Sequence, residues 1–106
     1  MLSRKDNKIF SAFASAVKSG YPQAQIWAFG SRAKGSASRE SDLDVCVILD
    51  KLDDKIDKTI IDYAWDVGFR NDRLISTVTY SKNEFNNGPC SQSLLVKTIL
   101  NEGIPA

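Results

Sequence analysis

Two short apolar runs, Ala24 to Phe29 and Leu43 to Leu49, bracket a segment that turns small, polar and basic from Gly30 to Ser41. Both runs have the Ile, Val, Trp and Phe content of largely covered strands, and the first stops abruptly at Gly30. Amphipathic stretches enclose the pair. Ile9, Phe10, Phe13 and Val17 recur at helical spacing from Ser3 to Ser19, with Ser3 as N-cap and Gly20 then Pro22 as stop signals. Ile56, Ile60, Tyr63, Ala64 and Val67 form a second stripe from Asp53 to Phe69, whose positive end Asp53 and Asp54 suit. Leu74 to Tyr80 reads as a third strand, and Ser91 to Asn101 as a closing helix with Leu94, Leu95 and Ile99 inward and Gly103 as its cap. The order helix, strand, strand, helix, strand, helix predicts a single layered domain, α/β or α+β, with a small mixed β-sheet, spanning residues 1–106.

Composition narrows the chemistry. Fourteen basic against thirteen acidic residues leave a net charge of +1, so no global field draws the chain onto DNA or an anionic membrane. Histidine is absent, which removes Ser-His-Asp and Cys-His catalysis and imidazole metal ligands together. Cys46 and Cys90 stand far outside any C-x-x-C spacing and read as free thiols, which favours a cytoplasmic setting. Arg4, Lys5 and Lys8 ahead of Ile9–Val17 imitate a secretion signal, but Asp6, Ser11 and Ser15 interrupt it. No segment approaches the roughly 20 apolar residues needed to span a bilayer.

The distinctive residues lie in Phe29-Gly30-Ser31-Arg32-Ala33-Lys34-Gly35 and in Ser41-Asp42-Leu43-Asp44. Gly-Ser at a strand's end lets backbone N–H groups approach an anion, the Ser hydroxyl adds a donor, and Arg32 and Lys34 add charge: a phosphate cradle in outline. Asp42 and Asp44, two apart where a strand opens, leave the same face. Their repulsion asks for a cation, and Mg²⁺ is commonly held by one or two carboxylates plus substrate phosphates. Cradle and carboxylates in this order describe a nucleoside-triphosphate site. Taken singly, Gly-Ser is most often a turn, Asp-x-Asp a solvated loop, and Arg32, Lys34 and Arg39 ordinary surface.

The run from Phe29 to Leu49 resembles the nucleotidyltransferase superfamily of DNA polymerase beta, in particular its minimal prokaryotic branch. The resemblance extends to Tyr80-Ser81-Lys82-Asn83-Glu84-Phe85 and to Ile99-Leu100-Asn101-Glu102-Gly103-Ile104 near the end. It implies that Asp42 and Asp44 hold two Mg²⁺ ions. Gly30 and Ser31, with Arg32, Lys34 and Ser41 nearby, then bind the nucleotide, and an acceptor hydroxyl attacks the α-phosphate of ATP. It further implies a HEPN-domain toxin as partner, with this chain as the antitoxin that adenylylates it; self-association is a further expectation.

The resemblance also places a third carboxylate near position 76, where this chain has Ser76 between Ile75 and Thr77. Asp66 lies on the second helix and Asp72 well ahead of the strand, so neither is positioned to replace it. That departure keeps a second reading open, a catalytically degenerate module that binds a nucleotide or a partner. A plain globular domain without a nucleotide site is the third. Exposure of Trp65, Tyr63 or Phe85 would mark a partner surface.

Overall fold

Capping chemistry sets the helix starts. The computed structural model describes residues 1–35, 41–88 and 93–106. Helix α1 spans Arg4–Gly20, and the Asp6 amide donates to the Ser3 hydroxyl. Strand β1 (Gln25–Phe29) runs into a one-turn helix α2 (Gly30–Lys34), and strand β2 follows as Leu43–Leu49. Helix α3 (Asp54–Arg70) is capped by the Asp53 carboxylate, which accepts from the Ile56 amide at 2.8 Å. Strand β3 is Ile75–Ser81, helix α4 Lys82–Asn86, helix α5 Leu94–Glu102 and strand β4 Ile104–Pro105.

The six predicted elements fall in the expected order; α2, α4 and β4 are additional. Each is too short for a periodic signal. α4 exists because Ser81 and Glu84 form a reciprocal capping box, which also holds the Glu84 carboxyl below its usual range. Its Phe85 is buried, with its ring 5.6 Å from that of Tyr80. The closing helix departs in phase. Ser93 caps it, so Val96 and Ile99 face the sheet, whereas Leu94 is 82% exposed and Leu95 lies at the margin. The expected start at Ser91 lies outside the described residues, as do Arg39 and Cys90.

The sheet order is β3-β2-β1-β4, with β1 antiparallel to β2 and β4, and β2 parallel to β3 through the α3 crossover. β2 is central and covered on both faces, hence its unbroken apolar run. Leu43, Val45, Val47 and Leu49 join Phe10, Phe13, Val17, Ile60 and Ala64 in the main core. Cys46 and Ile48 point the other way, into a smaller core with Phe85, Val96 and Ile99. Cys46 is a free thiol, as expected, and burial pushes it up to about 12, which makes it unreactive. No helix among the described residues is long and apolar enough to cross a membrane.

This alternation places the chemistry. Asp44 shares the face of Cys46 and Ile48, at the mouth of the smaller core rather than the larger. The end of β1 and the starts of β2 and β3 meet at one margin of the sheet, where Phe29 and Ser76 flank Asp44 in register.

Candidate active site

Gly30 joins the two halves of the motif. Its φ of 78° lies in the left-handed region, and a Cβ at this position would overlap Asp44 Oδ2. Only glycine lets the β1–α2 turn close onto the carboxylate. The turn that opens α2 and the carboxylate strand therefore form one site. The amide groups of a helix's first turn point out of its N-terminal end, and here that end is built from Gly30, Ser31 and Arg32 beside Asp44.

Asp42 and Asp44 are each half-buried and close enough to interact. Burial first, and the Asp42 charge second, push the Asp44 carboxyl above its usual range. Among the described residues no Lys or Arg forms an ion pair with either. The donors are hard oxygens on one strand face, half covered and short of positive charge, which fits a divalent cation that completes its shell with water and phosphate. No cluster of three or more Asp, Glu, Cys or His side chains occurs among the described residues. Ser76 stands where the third acid was expected, directly opposite Asp44. As expected, neither Asp66 nor Asp72 joins the pair: Asp66 is exposed and bridged to Arg70 at 3.3 Å, and Asp72 occupies the turn before β3 with φ 53°.

The basic residues of the motif have other partners. Arg32 is 7% exposed, and its Nη1 lies 2.9 Å from Oδ2 of the buried Asp6 on α1. Its Nε–H donates to the Ser41 carbonyl at 2.6 Å. Arg32, expected beside the nucleotide, is here engaged by the buried carboxylate of Asp6 and by the Ser41 carbonyl. Lys34 is exposed and pairs with Glu102 of α5 at 3.1 Å. Ser41 enters through its main chain, as Arg32's acceptor.

Asp6 and Arg73, which lie outside the motif, belong to this construction: Arg73 Nε is 3.1 Å from Asp6 Oδ1. A signal for Asp6 did exist. It falls on the helical stripe of Ile9, Phe10, Phe13 and Val17, which places a charge on a face that must be buried.

The nucleotidyltransferase domain family matches residues 10–105. This chain is a member of that family. Among solved structures, a chain of a toxin–antitoxin crystal structure with AMP-PNP is similar, with a TM-score of 0.62 and 21% identity over 94% of this chain and 70% of that one. The toxin–antitoxin MntA-HpeT, in a mutant form with two aspartates exchanged for glutamate, gives the same values. A putative nucleotidyltransferase from Sulfolobus solfataricus aligns at TM-score 0.51 and 15% identity over 95% of this chain and 81% of that one. No curated relative matches in sequence. As a nucleotidyltransferase domain, the chain carries its Gly-Ser turn and its Asp-x-Asp pair at one margin of a four-stranded sheet.

Proposed function

We propose that this nucleotidyltransferase moves a nucleoside monophosphate, AMP from ATP, to a hydroxyl of a protein acceptor. The observation that carries the proposal is the fit of the Asp44 carboxylate against Gly30, which puts a backbone able to approach phosphates beside a carboxylate pair that needs a cation. Gly30 and Ser31 bind the β- and γ-phosphates, Lys34 supplies outer charge, and Asp42 and Asp44 hold Mg²⁺, with two ions bound alongside the nucleotide. The metal supplies charge stabilisation for the attacking and leaving oxygens.

In the transfer, the acceptor oxygen bonds to the α-phosphorus, the bond to the β-phosphate oxygen breaks, and pyrophosphate leaves. The acceptor's proton goes to solvent, because the Ser76 hydroxyl opposite Asp44 is a poor base. General-base assistance is typically worth about 10² to 10⁴-fold, so this is a slow transferase. The acceptor is a HEPN-domain toxin met in the cytoplasm, with this chain as its antitoxin. Two observations favour a protein partner: neighbours of the same fold occur in toxin–antitoxin structures, one with a nucleotide analogue, and Trp65, Phe69 and Leu74 are exposed around a groove of about 390 Å³.

The test is a thermal melt with ATP and Mg²⁺, with ATP alone, and with neither, repeated for Asp42→Ala with Asp44→Ala. Ligand at a hundred times its dissociation constant adds about 2.7 kcal/mol, several degrees for a domain of this size. The shift is expected only with metal, and only in the parent protein. No shift at millimolar ATP would sink the proposal. Ser76 opposite Asp44 favours a second reading, a nucleotide-binding module without turnover; it predicts the same shift but no transfer of α-labelled AMP to the toxin.

A further inference from the structure

A carboxylate on the packed face of α1 is costly unless compensated, and Asp6 is only 2% exposed. Two guanidinium groups compensate it: Arg32 hydrogen-bonds Oδ2, whereas Arg73 Nε lies 3.1 Å from Oδ1 as an ion pair without hydrogen-bond geometry. Each arginine comes from a segment that borders the candidate active site. Arg32 lies in α2 with Gly30 and Ser31, and Arg73 lies in the turn that leads into Ile75 and Ser76. Stability alone gives little reason for such a triad, since buried ion clusters can often be replaced by apolar side chains without loss.

The guanidinium is a rigid, planar fork, so fixing Nη1 on Asp6 also fixes the direction of Nε. That second donor ends on the Ser41 carbonyl, one peptide bond from Asp42. Asp6, Arg32 and Ser41 thus form a continuous strut. At one end it holds the helix that contains the Gly-Ser turn; at the other it holds the backbone that delivers the first carboxylate.

We infer that Asp6 is a positioning residue of the nucleotide site: acting through Arg32, it sets the separation between Gly30-Ser31 and Asp42. The inference rests on the nucleotidyltransferase reading of that site and adds a control point outside the motif. Asp6 touches neither nucleotide nor metal. Its effect reaches them through one side chain and one carbonyl.

The experiment measures the dissociation constant for Mn²⁺·ATP by calorimetry on the parent protein and on Asp6→Asn, Arg32→Lys and Arg32→Met, each checked for folding by circular dichroism. Arg32→Lys keeps the charge that faces Asp6 but loses the fork, and Arg32→Met leaves Asp6 balanced by Arg73. Both should remain folded and bind about 10- to 100-fold more weakly, the range found when groups behind a metal site are altered. Asp6→Asn should weaken binding by a similar factor if it folds; if it does not, the two Arg32 variants decide. A folded variant that binds within about threefold of the parent shows that the strut only fastens the fold, and the inference is wrong. A parent protein that does not bind Mn²⁺·ATP overturns the nucleotide reading itself, and the inference with it.

Discussion

Asp6 and Asp44 are carboxylates at the same end of one small fold, in opposite electrostatic circumstances. Asp6 is almost fully buried between two arginines. Asp44 is half-buried beside another carboxylate, with burial and that neighbour both opposing its charge. A fold that builds a two-arginine cage for one carboxylate can neutralise its acids when neutralisation serves the structure. Leaving the other pair uncompensated among the described residues marks it as the place where charge arrives from outside. The first site fastens; on the proposed function, the second takes up a cation.

The largest expected effect tests the fastening side. Asp6→Ala leaves Arg32 and Arg73 without their shared partner, and breaking a buried pair in this way typically costs about 3–5 kcal/mol. Against a domain stability of about 5–15 kcal/mol, that is enough to leave the variant marginal. Urea unfolding with the midpoint and slope compared to the parent measures it. A cost below about 1 kcal/mol would mean that both arginines find water or new acceptors, and the contrast with Asp44 would lose its basis.

Gly30→Ala comes next, because it strikes where the two regions meet. The new methyl group sits at a φ of 78° and overlaps the Asp44 carboxylate, so the turn or the strand must shift. A loss of about 1–3 kcal/mol is expected, together with loss of the metal-dependent melting shift. A variant that keeps both stability and shift would show that the turn and the carboxylate are not one site.

Asp44→Asn should move stability the other way. Burial raises Asp44 above its ordinary value near 3.8, so the folded chain holds that proton more tightly than the unfolded chain. Stability from this group is therefore fully present below that ordinary value, falls as pH rises through the raised value, and stays low above it. Metal-free Asp44→Asn is expected to melt higher than the parent at neutral pH, by roughly a few degrees at most, with the gap closing under acid conditions. Melting curves from pH 3 to 8 give the result. A lower melting temperature for the variant at pH 7 would mean that a compensating positive group acts on Asp44, and the pair would no longer call for a cation.

The sequence made one side of this comparison readable and concealed the other. Asp42 and Asp44 announce themselves because both the spacing and the consequence are local: period two puts them on one face whatever the rest of the chain does. Ser3, Asp53 and the stripes of α1 and α3 were legible for the same reason, since a cap or a heptad-scale pattern needs no distant partner. Asp6 and Arg32 are 26 positions apart, and their pairing follows only once the fold has brought α1 against α2. The motif alone therefore shows Arg32's place beside the Gly-Ser turn but not its buried partner. Leu94 and Leu95 misled in a related way, because hydrophobicity marks a helix, whereas the cap at Ser93 and the position of the sheet decide that Val96 and Ile99 turn inward.

The smallest expected change in stability carries the sharpest statement about function. Trp65 is 62% and Phe69 87% exposed, four apart on the outer side of α3, with Leu74 exposed across the groove from them. Their truncation removes few buried contacts, so Trp65→Ser with Phe69→Ser should shift folding stability by no more than about 0.5 kcal/mol. If this is where the proposed toxin docks, the same change should weaken the complex by 2 kcal/mol or more, roughly 30-fold, as expected for aromatic anchors at an interface centre. Calorimetric titration of the toxin into both proteins separates the two quantities, and light scattering on the chain alone reports whether the patch instead pairs two copies. Unchanged toxin affinity would place the partner surface elsewhere. A weakened complex with intact Mn²⁺·ATP binding would divide the molecule into an aromatic face that selects the acceptor and a carboxylate margin that performs the transfer.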